Sequence, residues 1–174
     1  MNDMKGKEKN PQRQLIGAIS KAKGKHFEER LDTAFAYYAQ RGYAVIEKTP
    51  EPMRPVKSLG SGKFIAYFEK KAQPDYKGTL KGGRTVMFEA KFTAADRMEQ
   101  SRVLQGQADY MERQQSLGAR CFVVAGFSSG EVYSIPWEVW SHMKEHFGRK
   151  YVTEADLEPY RVYIARNGTL LLLG

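Results

Sequence analysis

The sequence predicts an α/β protein in which a mixed β-sheet is flanked by helices. Phe27, Leu31 and Phe35 recur at helical spacing, so residues 24–41 are predicted to form an amphipathic helix. The apolar run over residues 120–127 is typical of a buried strand. A length of 174 residues with 41% hydrophobic content fits a single domain with a sizeable core.

The remaining elements follow from local patterns in chain order. We predict a strand over 43–48, an insertion over 49–71, a hairpin over 73–92, a helix over 101–117, strands over 120–127 and 131–135, a helix from Pro136 to about His146, and a hairpin over 163–172. This order is typical of an α/β sandwich around a mixed sheet. Residues 1–22 are polar, basic and without periodicity, so we expect a flexible N-terminal arm before one domain over 23–174.

The insertion over residues 49–71 breaks the pattern of regular elements. Pro50, Pro52 and Pro55 cannot continue a helix or lie in a central strand, and the chain looks irregular through Gly62. Strand-like character resumes at Phe64. The pattern alone leaves a solvent loop and a projecting stalk equally open.

The net charge of +8 and a pI near 9.5 favour an anionic partner such as nucleic acid. Residues 1–25 carry seven Lys or Arg against two acids, and residues 50–71 carry five against two. Two basic segments on either side of the domain's first helix and strand suit a long polyanion.

Several classes of protein are excluded. No stretch approaches the roughly 20 apolar residues of a membrane span, and the N-terminus has no apolar core of a secretory signal. The lone Cys121 lies in an apolar run and is expected to be buried and reduced, which fits a cytoplasmic location. His142 and His146 have helical spacing but no further ligand nearby, so we expect a solvated helix face rather than a zinc site.

The candidate catalytic motif is Pro74-Asp75, followed after thirteen residues by Glu89-Ala90-Lys91. Glu89 and Lys91 point to one face of a strand, and the hairpin would place Asp75 beside Glu89. Asp75, Glu89 and the backbone carbonyl of Ala90 could bind a hard divalent cation, with Lys91 orienting water or neutralising a phosphate. By itself the motif is loose, and an exposed hairpin with a surface Glu–Lys pair is the alternative.

Two further residues depart from their local pattern. Glu28 borders the apolar stripe of the first helix and either reaches a site over the sheet or pairs with a basic residue. Gln107 lies on the apolar face of the second helix, where its amide needs a hydrogen-bond partner. That partner is either in a metal or phosphate site or in an ordinary core.

With these residues in place, the chain resembles the RecU family of Holliday junction resolvases, within the PD-(D/E)xK nuclease superfamily. The resemblance covers about residues 24–162. It rests on the order and spacing of Gly24-Lys25-His26-Phe27-Glu28, Lys48-Thr49-Pro50-Glu51-Pro52, Ala66-Tyr67-Phe68, Pro74-Asp75-Tyr76-Lys77-Gly78, Phe88-Glu89-Ala90-Lys91, Gln107 before Met111, and Cys121-Phe122-Val123-Val124.

The resemblance implies a restriction-endonuclease-like core, in a homodimer that cuts four-way DNA junctions in recombination and repair with Mg²⁺ or Mn²⁺. It implies that Asp75 and Glu89 are metal ligands and that Lys91 is the catalytic lysine. Glu28 completes the acidic cluster, directly or through water, and Gln107 lies near the site. The insertion matches the family's stalk. The chain is shorter than typical cellular members, which is consistent with a phage-type version.

DNA contacts are expected from basic and aromatic side chains of the arm and the insertion. The candidates are Lys21, Lys23, Lys25, Arg54, Lys57, Lys63, Tyr67 and Phe68. Two alternatives stay open: a PD-(D/E)xK nuclease that acts on another DNA structure, such as ends or flaps, and a junction-binding protein without catalysis.

Overall fold

The computed structural model describes residues 11–68 and 73–173. The helices are α1 (Pro11–Gln40), α2 (Gln105–Ser116), α3 (Trp137–Ser141), α4 (Met143–Phe147) and α5 (Glu154–Leu157), with 3-10 turns at Gln100–Arg102 and Glu158–Tyr160. The strands are β1 (Ala44–Lys48), β2 (Met53–Gly60), β3 (Lys63–Phe68), β4 (Tyr76–Leu80), β5 (Thr85–Thr93), β6 (Arg97–Glu99), β7 (Arg120–Phe127), β8 (Val132–Pro136), β9 (Tyr151–Thr153), β10 (Tyr163–Ile164) and β11 (Leu170–Leu171).

The central sheet has five strands in the order β1-β4-β5-β7-β8. β5 and β7 are parallel, while the other three neighbouring pairs are antiparallel. A crossover through α2 connects the parallel pair, as parallel strands require. The predicted mixed sheet flanked by helices is therefore confirmed.

Each face of the sheet is covered by its own apolar core, because side chains alternate along the strands. α1 packs on one face through Phe27, Leu31 and Phe35, against strand residues that include Phe88. The helices α2 and α3 cover the other face, which includes Met87. Cys121 is buried in this second core, as predicted.

The insertion forms a projecting hairpin. β2 and β3 pair with each other, and among the described residues neither strand joins the central sheet. Every residue of β2 is exposed. The expectation that the chain stays irregular through Gly62 was wrong, because Pro55 lies in a two-stranded ribbon where every strand is an edge and a bulge follows at Lys57.

The chain differs from the sequence predictions at three further places. α1 begins at Pro11 rather than near Gly24, so residues 11–22 are helical and not a flexible arm; residues 1–10 lie outside the described part. The helix predicted from Pro136 is two short helices that meet at His142. The small ladder between β6 and β9 was not predicted.

None of the helices in the described part of the chain is long and apolar enough to cross a membrane.

Candidate active site

Asp75 and Glu89 lie side by side, as the hairpin prediction required. The register of β4 and β5 pairs Tyr76 with Phe88, which aligns the residue before β4 with the middle of β5. The backbone N–H of Asp75 donates to Oε2 of Glu89 at 3.0 Å, and the N–H of Ala90 donates to Oδ2 of Asp75 at 3.2 Å. Each carboxylate thus accepts a backbone hydrogen bond from the segment that carries the other carboxylate.

Glu89 has no exposed surface, which is unusual for a carboxylate. Burial raises the pKa of Glu89 to about 7, and the negative charge of Asp75 acts in the same direction, while Lys91 opposes the shift. A second positive charge beside the two carboxylates would lower the pKa of Glu89 and so offset both causes. The electrostatics of the pair therefore favour a bound cation.

Lys91 and Gln107 converge on one oxygen of Glu89. Oε1 accepts a hydrogen bond from Nζ of Lys91 at 2.5 Å and from Nε2 of Gln107 at 2.8 Å. The predicted common face of Glu89 and Lys91 is confirmed by this contact. The Lys91 side chain keeps 19% exposure, so its ammonium lies at the boundary between the site and solvent.

Gln107 connects the site to the start of α2. Its side chain is 3% exposed, and Oε1 accepts a hydrogen bond from the N–H of Leu104 at 3.1 Å, which caps the helix. The backbone carbonyl of Gln73 lies 3.5 Å from Nε2. Gln107 is a satisfied buried amide and a direct partner of Glu89 at the same time.

Glu28 pairs with Lys48, whose Nζ lies 2.6 Å from Oε2 of Glu28. This hydrogen bond is the main cause that raises the pKa of Lys48, and the charges of Asp32 and Asp75 add to it. The ammonium of Lys48 thus feels the negative charges of Glu28, Asp32 and Asp75. Sequence reasoning missed it, because the pairing of β1 with β4 has no local signal.

No three His, Cys, Asp or Glu side chains gather into a metal-binding group within residues 11–68 and 73–173. Glu28 is therefore not grouped with Asp75 and Glu89 in this arrangement. The pair of carboxylates at the hairpin is the acidic centre of the site.

The predicted DNA-contact residues lie on two surfaces. Lys21, Lys23 and Lys25 are exposed on α1, and Lys25 lies 3.8 Å from Glu29. Along the hairpin, the exposed side chains are Arg54, Lys57, Lys63 and Tyr67, the last with 49% exposure. The side chain of Phe68 lies outside the described part.

Comparison with known proteins gives a consistent result. The model of the family described as recombination protein U matches residues 22–172. A Holliday junction resolvase RecU from Streptococcus sanguinis is 35% identical over 121 residues, which cover 66% of this chain and 60% of the relative. The RecU of Geobacillus thermodenitrificans is 30% identical over 173 residues, 93% of this chain and 85% of the relative.

The chain spans about 60% of the length of the Streptococcus relatives that it matches. Among solved structures, Hjc, a Holliday junction resolvase of Archaeoglobus fulgidus, aligns with a TM-score of 0.48 and 14% identity, over 83% of this chain and 98% of that one.

Proposed function

The chain belongs to the RecU family, and from this premise we propose that it is a metal-dependent endonuclease that resolves four-way DNA junctions. The observation that carries the proposal is the cluster around Glu89. A carboxylate without exposed surface, next to a second carboxylate, is costly to keep ionised, and a bound divalent cation would offset that cost. Such a cation is what phosphodiester hydrolysis at this site would use.

The residues present fit a hard divalent cation. Asp75 and Glu89 offer carboxylate oxygens and Ala90 offers a backbone carbonyl, which are the donors that Mg²⁺ and Mn²⁺ prefer. Burial and then the negative charge of Asp75 raise the pKa of Glu89, and a cation would offset both. When bound, such an ion supplies Lewis acidity that stabilises charge on phosphate oxygens and makes water more acidic.

The protein's own groups have separate roles in this proposal. Lys91 has three N–H donors, so its bond to Glu89 leaves donors that orient a water or neutralise a phosphate oxygen. Gln107 holds Oε1 of Glu89 in place through a buried hydrogen bond. Glu28 and Lys48 form a charged pair at the edge of the site, where Lys48 can meet the DNA backbone.

The projecting hairpin of β2 and β3 supports a branched substrate. It carries Arg54, Lys57 and Lys63 on exposed positions, away from the sheet that holds the site. A basic, extended element of this kind can enter the open centre of a junction, where phosphates converge. A homodimer would supply two sites for the two strands of a two-fold junction.

The experiment compares a labelled four-way junction with linear duplex of the same sequence, each with and without Mg²⁺. We expect cutting of the junction that requires the cation, and little cutting of the duplex. Equal cutting of both would favour a nuclease for another DNA structure, since the hairpin would then give no selectivity. Tight junction binding without cutting, with every divalent cation tested, would indicate a junction-binding protein without catalysis.

A further inference from the structure

A pocket lies beside β5, the strand that carries Glu89 and Lys91, on the face of the sheet opposite to these two side chains. Phe92 follows Lys91 in β5, so their side chains point to opposite faces. On the Phe92 face, a cavity of about 370 Å³ lies between α1 and the turn at 128–130 that joins β7 to β8. None of the active-site residues lines it.

The floor of this pocket is aromatic. Phe27 is 4% exposed and Phe92 is half-buried, whereas the side chain of Phe127 packs in the core on the other face of the sheet. The ring centroids of Phe27 and Phe92 lie 6.1 Å apart at an angle of 41°. Gly126 is required there, because a Cβ at this position would lie 2.7 Å from the Phe27 ring. The floor is therefore closely packed, and Phe92 is the ring that keeps surface toward the cavity.

The rim of the pocket is basic. Lys23, His26 and Arg30 line it from successive turns of α1. The guanidinium of Arg30 donates to the carbonyl of Gly130 at 2.9 Å, which ties the helix to the turn across the mouth. Glu131 also lines the pocket, and its carboxylate lies 3.5 Å from Arg161.

We propose that this pocket binds an unstacked nucleobase of the DNA strand that passes the active site. This inference rests on the proposed function, because it takes its ligand from the proposed substrate. Aromatic rings stack on the faces of bases regardless of sequence, and cationic side chains pair with the adjoining phosphates. The half-buried ring of Phe92 below a basic rim combines these two requirements. The carboxylate of Glu131 can accept a hydrogen bond from a base amino group.

The pocket would set the register of the cut. Phe92 and Lys91 are consecutive on β5 and face opposite sides of the sheet, so a base held against Phe92 and a phosphate at Lys91 would lie on the two sides of one strand. The phosphate that reaches Asp75 and Glu89 would then lie at a constant offset from the captured base.

The test uses the full chain and a four-way junction that carries 2-aminopurine at successive positions near the crossover, in EDTA so that no strand is cut. The wild type should change the probe's fluorescence at one offset. Phe92→Leu removes ring stacking but keeps an apolar side chain, and Lys23→Ala changes an exposed residue. Each should weaken junction binding about fivefold, and Phe92→Leu should abolish the fluorescence change. The matched controls are Phe147→Leu, at another half-buried phenylalanine, and Lys144→Ala, at another exposed lysine.

Unchanged affinity and fluorescence in both folded variants would overturn the inference. So would a Phe92→Leu variant that alters the oligomeric mass but not DNA binding, since the pocket would then be an interface between copies. The outcome is separable from the proposed function. A wild type that cuts junctions without a probe response rejects the pocket alone, and a response without any cutting under Mg²⁺ rejects the nuclease alone.

Discussion

The negative charge of Asp75 is held against a fully buried Glu89 by two backbone hydrogen bonds. If these carboxylates serve a cation, Asp75→Asn should lower the cutting rate more than about 100-fold, because several kcal/mol of charge stabilisation is lost. Junction binding in EDTA should be kept or become tighter, since a charge that repels phosphate is removed. Single-turnover cutting and gel shifts measure the two effects.

Asp109→Asn is the matched control, because Asp109 is an exposed acid on α2. A wild-type cutting rate in Asp75→Asn would remove the metal assignment. Glu89→Gln is a less direct variant. Glu89 accepts hydrogen bonds at both oxygens, so an amide N–H there would face a donor and disturb the fold.

Lys91 contacts Glu89 and still reaches solvent. Lys91→Ala should reduce the cutting rate about 100- to 1,000-fold, the effect of losing one oriented donor at a reacting phosphate. The Mg²⁺ concentration that raises the melting temperature should change little, because the carboxylates remain. Lys81→Ala, at an exposed lysine next to the hairpin turn, controls for loss of charge. An equal loss of Mg²⁺ binding would assign Lys91 a structural role instead.

Tyr76 is 1% exposed, and the structure gives its hydroxyl no hydrogen-bond partner among the described residues. A buried hydroxyl without a partner destabilises a fold. Tyr76→Phe should therefore raise the free energy of unfolding by about 1 kcal/mol. Urea denaturation measures this change. Tyr133→Phe is the control, because its hydroxyl donates to Glu154 at 3.2 Å and its removal should not stabilise. A destabilised Tyr76→Phe variant would show that the hydroxyl has a partner in solution.

At the residue level, the sequence predicted the parts of the site that share one hairpin. Asp75, Glu89 and Lys91 are related by strand alternation and one turn, which are local properties. Lys48 was not predicted as a site residue, because it contacts Glu28 only after β1 pairs with β4. Such long-range pairing leaves no local pattern.

Among the elements, the hairpin of β2 and β3 allows a test of whether a part outside the central sheet determines substrate preference. Its strands pair with each other and not with the central sheet. Replacement of residues 52–68 by a short Gly-Ser loop should keep the circular dichroism and thermal unfolding of the core. The preference for junction over duplex should fall, because a basic projecting element is removed. Competition gel shifts measure the preference.

A triple variant, Arg54→Ala, Lys57→Ala and Lys63→Ala, removes the charge and retains the ribbon. A partial loss of preference in this variant would divide the effect between charge and shape. An unchanged preference in the folded Gly-Ser variant would contradict the stalk role.

The start of α1 shows why an element boundary was misplaced. The sequence from Pro11 lacks an apolar stripe, which led to the prediction of an arm, yet it is rich in Gln, Lys, Arg and Ala, which favour helix. Pro11 also suits the first helical position. Helix propensity without amphipathicity outweighed the missing pattern there.

For the whole molecule, the order of elements predicted the mixed sheet, because hairpins and one helical crossover restrict the possible topologies. The net charge of +8 predicted an anionic partner but not its shape. The prediction of branched DNA as the substrate came from the family resemblance, which rests on the spacing of motifs across the chain. A homodimer with two coupled active sites stays a prediction.

We propose that paired copies of the Asp75–Glu89–Lys91 site cut a junction symmetrically. Incubation with a supercoiled plasmid that extrudes a cruciform tests this symmetry. Two cuts within one complex give linear DNA, whereas independent single cuts give nicked circles first. We expect linear product that requires Mg²⁺ and is absent with Asp75→Asn. Nicked circles that precede any linear product would contradict paired cutting, and an uncut plasmid with Mg²⁺ or Mn²⁺ would contradict the nuclease itself.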